Sequence, residues 1–523
     1  MRILSSQSEK CGTYSDTHFS CVPTDSFVYK LKKPVDLGFL DYSSLQKRKI
    51  LCDREVDLNR RLSDDIYLGV VGFVRTQGGI FDFVDDLASE DIVEYAVKMR
   101  RMPDEFFLHR IVVENKLTRE HLDRIAETLA DFYLSQESNP DLNKWGEIDA
   151  IKVNTEENFN QTKQFIGKTI DRGSFQAIRH FANQYFQRQK PLFQKRVESG
   201  RIVEGHGDLH LEHIHITPEK VQIYDCIEFN ERFRYGDLAV DLAYLAMDLD
   251  FNNCWQLERY FMEQMAKRLN DEGLLQIIDF YKCYRAYVKG KVKSFQSAED
   301  EVPTESRKKS SDLAKRYFKL SLCYALLGSK PLAIIFMGRI GTGKSTLADF
   351  LSGQLKIDCF SSDKIRKSLA GLPIGQRTPR PRRETLYNTE TTDKTYMELM
   401  SSALDTIKTG KSVILDATFS DSAIRYKLID FLEKNAAHYL FIEALASDQT
   451  IIDRLSARKD EEDVISDARL EDFDTLAQSY QSPTEIDEQN LITVSTDQSR
   501  ENTMDELYKK LIDHHLESQL LNK

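Results

Sequence analysis

No stretch of this 523-residue chain approaches the roughly 18–20 consecutive apolar residues that a membrane-spanning helix needs. The opening residues, Met1-Arg2-Ile3-Leu4-Ser5-Ser6-Gln7, lack the apolar core of a signal peptide and turn polar at once. Positive charge is not in excess: 72 Lys and Arg stand against 84 Asp and Glu, a net charge of −12. That balance argues against a protein that coats nucleic acid or an anionic membrane. The eight cysteines are scattered with no C-x-x-C and no close pair, so free thiols in a reducing compartment are the simplest reading. There is no internal repeat. What remains is a globular composition, 41% hydrophobic and 30% charged, too long for one core. We expect a cytoplasmic protein of more than one domain.

The most informative stretch is Gly338-Arg339-Ile340-Gly341-Thr342-Gly343-Lys344-Ser345-Thr346. It follows the apolar run Leu332–Met337 and precedes Leu347–Leu355, which reads as a helix. A G-x-x-x-x-G-K-[ST] motif between strand and helix is the arrangement that cradles phosphates. Its glycines aim successive N–H groups at phosphate oxygens and the helix adds its positive end. Lys344 would reach the β- and γ-phosphates, and Ser345 would hold Mg²⁺.

Around this motif, strand candidates at Leu332–Met337, Asp358–Ser361, Ser412–Asp416, His438–Leu445 and Leu491–Thr496 alternate with helices. That alternation predicts an α/β domain with a parallel sheet, its ligands at the carboxyl ends of the strands. Asp363, in Ser362-Asp363-Lys364-Ile365-Arg366, stands where the second strand ends and would receive an acceptor hydroxyl; a plain helix cap is the alternative. Asp416 ends the third strand and would order Mg²⁺, or serve as a turn residue. Arg454 and Arg458, at i and i+4, would close over the phosphates as a lid, or form an exposed basic face. Arg377, Arg380, Arg382 and Arg383 make a basic loop that reads as solvated, with an anion grip as the rival reading.

The first half reads differently. Short strands at Thr17–Val22, Phe27–Lys32, Ile66–Val71, Gly79–Phe83 and Tyr95–Met99 surround a charged helix at Ser43–Leu62. Helical spacing fills about 104–200 and 237–327, interrupted by loops and strands at 202–230 and by a polar surface loop at Ser297–Ser311. Tyr281, Tyr284, Arg285, Tyr287 and Lys289 read as a core stripe, or as one side of an acceptor pocket. Gly328 stops the last helix, which sets domains of 1–328 and 329–523. Within 206–230, a loop with one carboxylate, Asp208, is followed by the apolar strand Val221–Tyr224 ending in a second, Asp225. Kinase chemistry needs one carboxylate for the acceptor hydroxyl and another for Mg²⁺.

These residues resemble the aminoglycoside phosphotransferase and choline kinase superfamily, whose fold is protein-kinase-like. The matching positions are His206-Gly207-Asp208-x-His210, Asp225, and Gly236-Asp237 to Asp241-Leu242-Ala243. The resemblance implies an α+β bilobal domain with Asp208 as base, Asp225 as Mg²⁺ ligand, Lys30 as the phosphate lysine and Glu55 as its helix partner. Lys32, on the same strand face, is the alternative lysine. The chain departs from the pattern at His213, where the family carries Asn as a second Mg²⁺ ligand, and no glycine-rich loop appears near 15–28. The second half resembles P-loop kinases of the gluconate kinase, chloramphenicol phosphotransferase and zeta toxin type, through the P-loop, Ser362-Asp363-x-x-Arg366 and Asp416-Ala417-Thr418. The whole order resembles a bacterial two-domain family pairing the two.

The resulting expectation is an ATP- and Mg²⁺-dependent phosphotransferase with a small-molecule acceptor and two potential nucleotide sites. A nucleotide-binding regulatory protein, with one or both domains catalytically degenerate, is the alternative. Neither nucleic acid nor membrane is an expected partner.

Overall fold

The structure is a computed structural model that describes residues 14–15, 18–76, 81–136, 139–458 and 466–521. By internal packing the chain divides into two compact units. The first comprises Met1–Glu156 and Gln189–Arg285, the second Glu157–Arg188 and Ala286–Lys523. This division differs from a single cut at 328. The helices Arg172–Arg188 and Thr304–Leu327 group with the carboxy-terminal residues because they pack on the helix Arg500–Leu521. Phe181 stacks on His515 with ring centroids 5.5 Å apart, and Arg188 pairs with Asp513. Helical periodicity announces a buried face but not which partner covers it.

The first unit opens with an antiparallel sheet of β1 (Tyr14–Ser15), β2 (Phe19–Pro23), β3 (Phe27–Lys32), β4 (Tyr67–Arg75), β5 (Phe81–Val84) and β6 (Ile92–Arg100), in the order β1-β2-β3-β6-β4-β5. The expected Gly79 and Ile80 lie outside the described residues. The helix Leu45–Asn59 follows β3, capped by the Ser44 hydroxyl, and packs on β4 and β6. Its Cys52 and Val56 join Ile66, Tyr67 and Val97 in a small apolar core. The β2–β3 turn contains no glycine; the Thr24 hydroxyl accepts the Phe27 N–H at 3.0 Å and closes it. β7 (Ile202–Glu204) pairs with β10 (Tyr235–Asp237), and the hairpin of β8 (Ile214–Ile216) and β9 (Val221–Ile223) lies between them in sequence.

The second unit is built on the parallel sheet of β11 (Leu332–Met337), β12 (Asp358–Ser361), β13 (Val413–Asp416), β14 (His438–Leu445) and β15 (Leu491–Ser495), ordered β12-β13-β11-β14-β15. All six residues of β11 are buried, as expected for a central strand covered on both faces. Register aligns Phe336 with Asp416 and Asp416 with Ser361, so three strands end level at one edge. That shared edge brings the P-loop, Asp363 and Asp416 together.

Two expectations need correction. The polar stretch Ser297–Ser311 is a loop only from Glu299 to Pro303: Ser297 and Ala298 end the helix Leu274–Ala298, and from Thr304 the chain is helical again, with Pro303 at the N-cap. Proline is tolerated at a helix start, and polar residues on a solvated helix face carry no loop signal. The helix after the P-loop starts at Lys344 rather than Leu347, because left-handed Gly343 is its N-cap. No described helix is long and apolar enough to cross a membrane.

Candidate functional site

In the second unit the phosphate loop is shaped by backbone that only glycine adopts readily. Gly338 has φ +140°, and a Cβ there would lie 2.6 Å from the Ala444 carbonyl oxygen. The Thr342 hydroxyl donates to the Arg339 carbonyl at 2.9 Å, and the Thr496 hydroxyl donates to the Thr342 carbonyl at 2.6 Å. The loop is thus pinned from inside and from the end of β15. The loop borders a cavity of about 830 Å³ lined by Lys344, Ser345, Asp363, Arg366, Asp416 and Arg458, among others.

Asp416 is buried. Burial pushes its carboxyl above the ordinary value, while Lys344 and hydrogen bonds from Ser345 and Ser361 pull it down. Its Oδ1 is buried without a hydrogen-bond partner among the described residues. A buried acceptor without a donor, beside a serine hydroxyl, is a donor set that suits a hard cation such as Mg²⁺. Asp363 is likewise raised by burial, against the pull of Lys344 and with a further push from Asp416. Arg366 is fixed beside it, donating to the Leu386 carbonyl at 3.1 Å and the Thr392 hydroxyl at 3.0 Å, with its guanidinium 4.7 Å over the Tyr387 ring.

The two arginines expected as a lid both border a second, smaller hollow, but only one reaches the main cavity. Arg458 lines the cavity. Arg454 turns instead to the back of the loop, donating to the Gly341 carbonyl at 3.3 Å and to Thr496 at Oγ1 (3.0 Å) and O (2.6 Å). Gly343, Thr346, Gln498 and Arg500 also line the smaller hollow. The basic loop is not simply solvated. Arg383 pairs with Asp472 at 2.6 Å at the cavity wall, and Arg377 donates to the Arg458 carbonyl. Buried Asp467 organises this loop, accepting the Thr378 N–H at 2.7 Å and the Tyr387 hydroxyl at 3.2 Å, with Lys367 3.5 Å away. Sequence reasoning missed Asp467. Its signal is weak: one acid among several in a polar stretch, with its partners some 80–100 residues earlier in the chain.

In the first unit, the β8–β9 hairpin sets Asp208, His213 and Asp225 side by side; the Tyr224 N–H donates to the His213 carbonyl at 3.0 Å. Gly207 has φ +85°, and a Cβ there would press within 2.8 Å of the Phe233 carbonyl. Asp241 caps the loop from below by accepting the N–H groups of His206 and Gly207. His206 Nε2 faces the Tyr224 carbonyl at 2.9 Å; burial lowers this imidazole to about 3. Asp208 is held by the Tyr244 hydroxyl and by His210 Nε2 at 3.4 Å.

Lys30 and Lys32 share Glu55, which accepts from Lys30 at Oε1 (2.9 Å) and from Lys32 at Oε2 (2.6 Å). Lys30 also pairs with Asp225, whereas Lys32 pairs with Glu228. Of the two lysines, Lys30 is therefore the one beside Asp225. Burial alone would raise Asp225, but Lys30 and then His213 hold it well below the ordinary carboxylate range. The tyrosine stripe is divided: Tyr281, Tyr284 and Arg285 border a small cavity over Asp241, while Tyr287 packs on Phe159 and Phe318.

Residues 334–483 match the AAA domain family. Two uncharacterized proteins, Rv2004c of Mycobacterium tuberculosis and Mb2027c of Mycobacterium bovis, are each 30% identical over 399 residues, 76% of this chain and 76% of theirs. The chain belongs to their family. Among solved structures, a gluconokinase from Sinorhizobium meliloti is similar over 37% of this chain and 98% of its own, at 14% identity and a TM-score of 0.28. The APS kinase CysC of Mycobacterium tuberculosis, in complex with AMPPNP and APS, is similar over 35% and 97%, at 18% identity and a TM-score of 0.26.

For this family member, the AAA match and the parallel sheet make the carboxy-terminal part a P-loop nucleotide-binding domain. The match begins within β11 and extends past Asp467, so it takes in the phosphate loop, Asp363, Asp416 and both arginines.

Proposed function

We propose that the protein is an ATP- and Mg²⁺-dependent phosphotransferase acting on a small-molecule hydroxyl, with its chemistry in the carboxy-terminal unit. The observation that carries this reading is the common wall formed by Lys344, Ser345, Asp363 and Asp416 on one cavity. Backbone N–H groups of Gly341 to Ser345 would hold the β- and γ-phosphates, with Lys344 between them. Ser345 and Asp416 would hold Mg²⁺, which when bound neutralises charge on the β- and γ-oxygens. Asp363 would accept the proton of the attacking hydroxyl; a carboxyl raised above its ordinary value is better matched to that task. Arg458, on the same wall, would meet charge that develops on the transferred group, while Arg454 braces the loop. The nucleoside would lie toward the hollow between Gly343 and Gln498.

In the first unit, the Glu55–Lys30–Asp225 chain with Asp208 opposite supports a protein-kinase-like organisation, with Lys30 as phosphate lysine and Asp208 as base. His213 at the metal side favours a second reading for that unit, nucleotide sensing without transfer. One experiment separates these. ATP would be offered with sugars, amino-alcohols, nucleosides and antibiotics to wild type, D208N and K344A. Product lost only in K344A assigns transfer to the second unit and leaves the first as a binding module. Unchanged ATP affinity and turnover in K344A would overturn the proposal.

A further inference from the structure

His213 faces an acceptor at each of its ring nitrogens. Its Nδ1 lies 2.9 Å from the Asp208 carbonyl oxygen and its Nε2 lies 3.4 Å from Asp225 Oδ2. Both neighbours are acceptors, and a neutral imidazole carries a single N–H. The shorter, 2.9-Å contact takes that proton. Nε2 then faces a carboxylate oxygen, and a positive centre between the two atoms, a ring proton or a metal ion, satisfies both. The separation of 3.4 Å is long for a charge-assisted hydrogen bond, which runs at about 2.7–2.9 Å. It does fit a bridging ion: two bonds of about 2.1 Å span 3.4 Å at an angle of about 108°, close to tetrahedral.

The surroundings add further ligand atoms and leave one oxygen of Asp225 facing His213. Lys30 occupies Asp225 Oδ1 and leaves Oδ2 for the site. Asp208 contributes carboxylate oxygens nearby, its Oδ2 3.6 Å from His213 Nδ1. Beside this pair, ligand atoms of Asp208, His210 and His213 lie within 4.8 Å of one another, a group that does not itself take in Asp225. His210 is a positioning residue: its Nδ1 accepts the Glu212 N–H at 3.3 Å, which leaves Nε2–H to hold Asp208. An imidazole nitrogen with one or two carboxylates does not suit Mg²⁺, which demands hard oxygen ligands in near-octahedral array. It suits first-row divalent transition ions.

We propose that the first unit holds a divalent transition-metal ion between His213 Nε2 and Asp225 Oδ2, with Asp208 at its edge, in preference to Mg²⁺. This inference rests on the first unit alone and is independent of transfer chemistry in the second. It gives the two units different metal requirements, since the Ser345–Asp416 pair offers oxygen only.

The test uses the full chain, stripped of metal and free of nucleotide, titrated with Mn²⁺. Electron spin resonance counts bound ions, and electron spin-echo modulation reports whether a ¹⁴N nucleus is directly coordinated. Wild type should hold one Mn²⁺ with a directly coordinated nitrogen that resists displacement by a hundredfold excess of Mg²⁺, apart from any oxygen-only ion at the Ser345–Asp416 pair, which Mg²⁺ should displace. H213N should lose the nitrogen signal and weaken Mn²⁺ binding at least tenfold, and D225N should abolish binding at this site. Circular dichroism checks that each variant folds, but the wild-type spectrum is decisive by itself. No stoichiometric Mn²⁺ left under excess Mg²⁺, a remaining ion with oxygen ligands only, or a nitrogen signal that persists in folded H213N would each overturn the proposal. So would nitrogen NMR showing both ring nitrogens of His213 protonated in wild type saturated with Mn²⁺-mimicking, diamagnetic Zn²⁺.

Discussion

The Arg454 guanidinium donates to the backbone carbonyl of Thr496 at 2.6 Å, joining the helix after β14 to the exit of β15. The same side chain reaches the Gly341 carbonyl, so one residue ties two strand ends to the phosphate loop. Charge-assisted hydrogen bonds of this kind contribute about 1.5–3 kcal/mol each before solvent screening. Arg454 is partly exposed, so we expect R454A to cost about 1–2 kcal/mol in all. Differential scanning calorimetry should show a lower carboxy-terminal transition. ATP affinity should fall through loosening of the loop, with R454K recovering only part of it, since one ammonium cannot span the three acceptors. Equal loss of affinity with no change in melting would instead make Arg454 a direct ligand of the nucleotide.

Asp416 supplies a prediction in which stability and function move in opposite directions. Burial raises its carboxyl above the ordinary 3.8. A group that binds its proton more tightly when folded costs stability as pH rises from 3.8 through the folded value. D416N removes that charge. Nucleotide-free D416N should therefore melt at a higher temperature than wild type at pH 7.5 and no higher at pH 3.5. Any rise in melting temperature that ATP with Mg²⁺ confers on wild type should shrink or vanish, because one of the two proposed Mg²⁺ ligands has lost its charge.

How much of this could be read from residues alone depended on how local the signal is. The phosphate loop is legible because its function lies in nine consecutive residues between an apolar strand and a helix, and β11, β12 and β14 carry the same bounds in sequence and structure. Lys30 and Lys32 could not be told apart, because residues two apart on a strand share a face. What distinguishes them is Glu228, 196 residues away, which takes Lys32 and leaves Lys30 to Asp225. Arg454 and Arg458 pose the same difficulty on a helix: spacing puts them on one side, and only the carbonyls of Gly341 and Thr496 decide where the first one turns. The grouping of Arg172–Arg188 with the carboxy-terminal helix has no local sequence signal at all, since any amphipathic partner satisfies the same stripe.

His206 predicts a specific acid sensitivity. Burial is the main cause that brings its imidazole down from 6.5 to about 3. The folded unit therefore holds it neutral while the unfolded chain protonates, so stability present above pH 6.5 is lost as pH falls toward 3. A shift of that size corresponds to roughly 5 kcal/mol at the acid end. Both tryptophans, Trp145 and Trp255, belong to the first unit, so indole fluorescence follows its unfolding without interference from the second. Urea midpoints measured by that signal should fall steadily between pH 6.5 and pH 4. In H206Q, whose side-chain amide can still donate to the Tyr224 carbonyl, the fall should be distinctly shallower, with a lower midpoint at pH 8. An unchanged slope would mean that other buried histidines, such as His215, carry the effect.

Glu55 gives the sharpest test of the first unit's charge network. It is fully buried and divides its carboxylate between two lysines that are themselves buried. In E55Q the amide oxygen can accept from one ammonium, but the amide NH₂ then meets the other donor to donor. Removing one member of a buried ionic network typically costs about 3–5 kcal/mol, because the remaining charges stay desolvated. We expect E55Q to lower the stability of the first unit by about 3 kcal/mol by tryptophan fluorescence, leaving the P-loop unit's melting transition in place. The size of the loss depends on how far Asp225 and Glu228 can take over the two ammonium groups. If Lys30 swings fully to Asp225 and Lys32 to Glu228, the loss should drop below about 1 kcal/mol. Glu55 would then orient the lysines without being needed to neutralise them. A loss at the predicted size makes the carboxylate the common counter-charge that keeps both lysines buried, and E55D, which retains the charge at a shorter reach, should recover part of the stability.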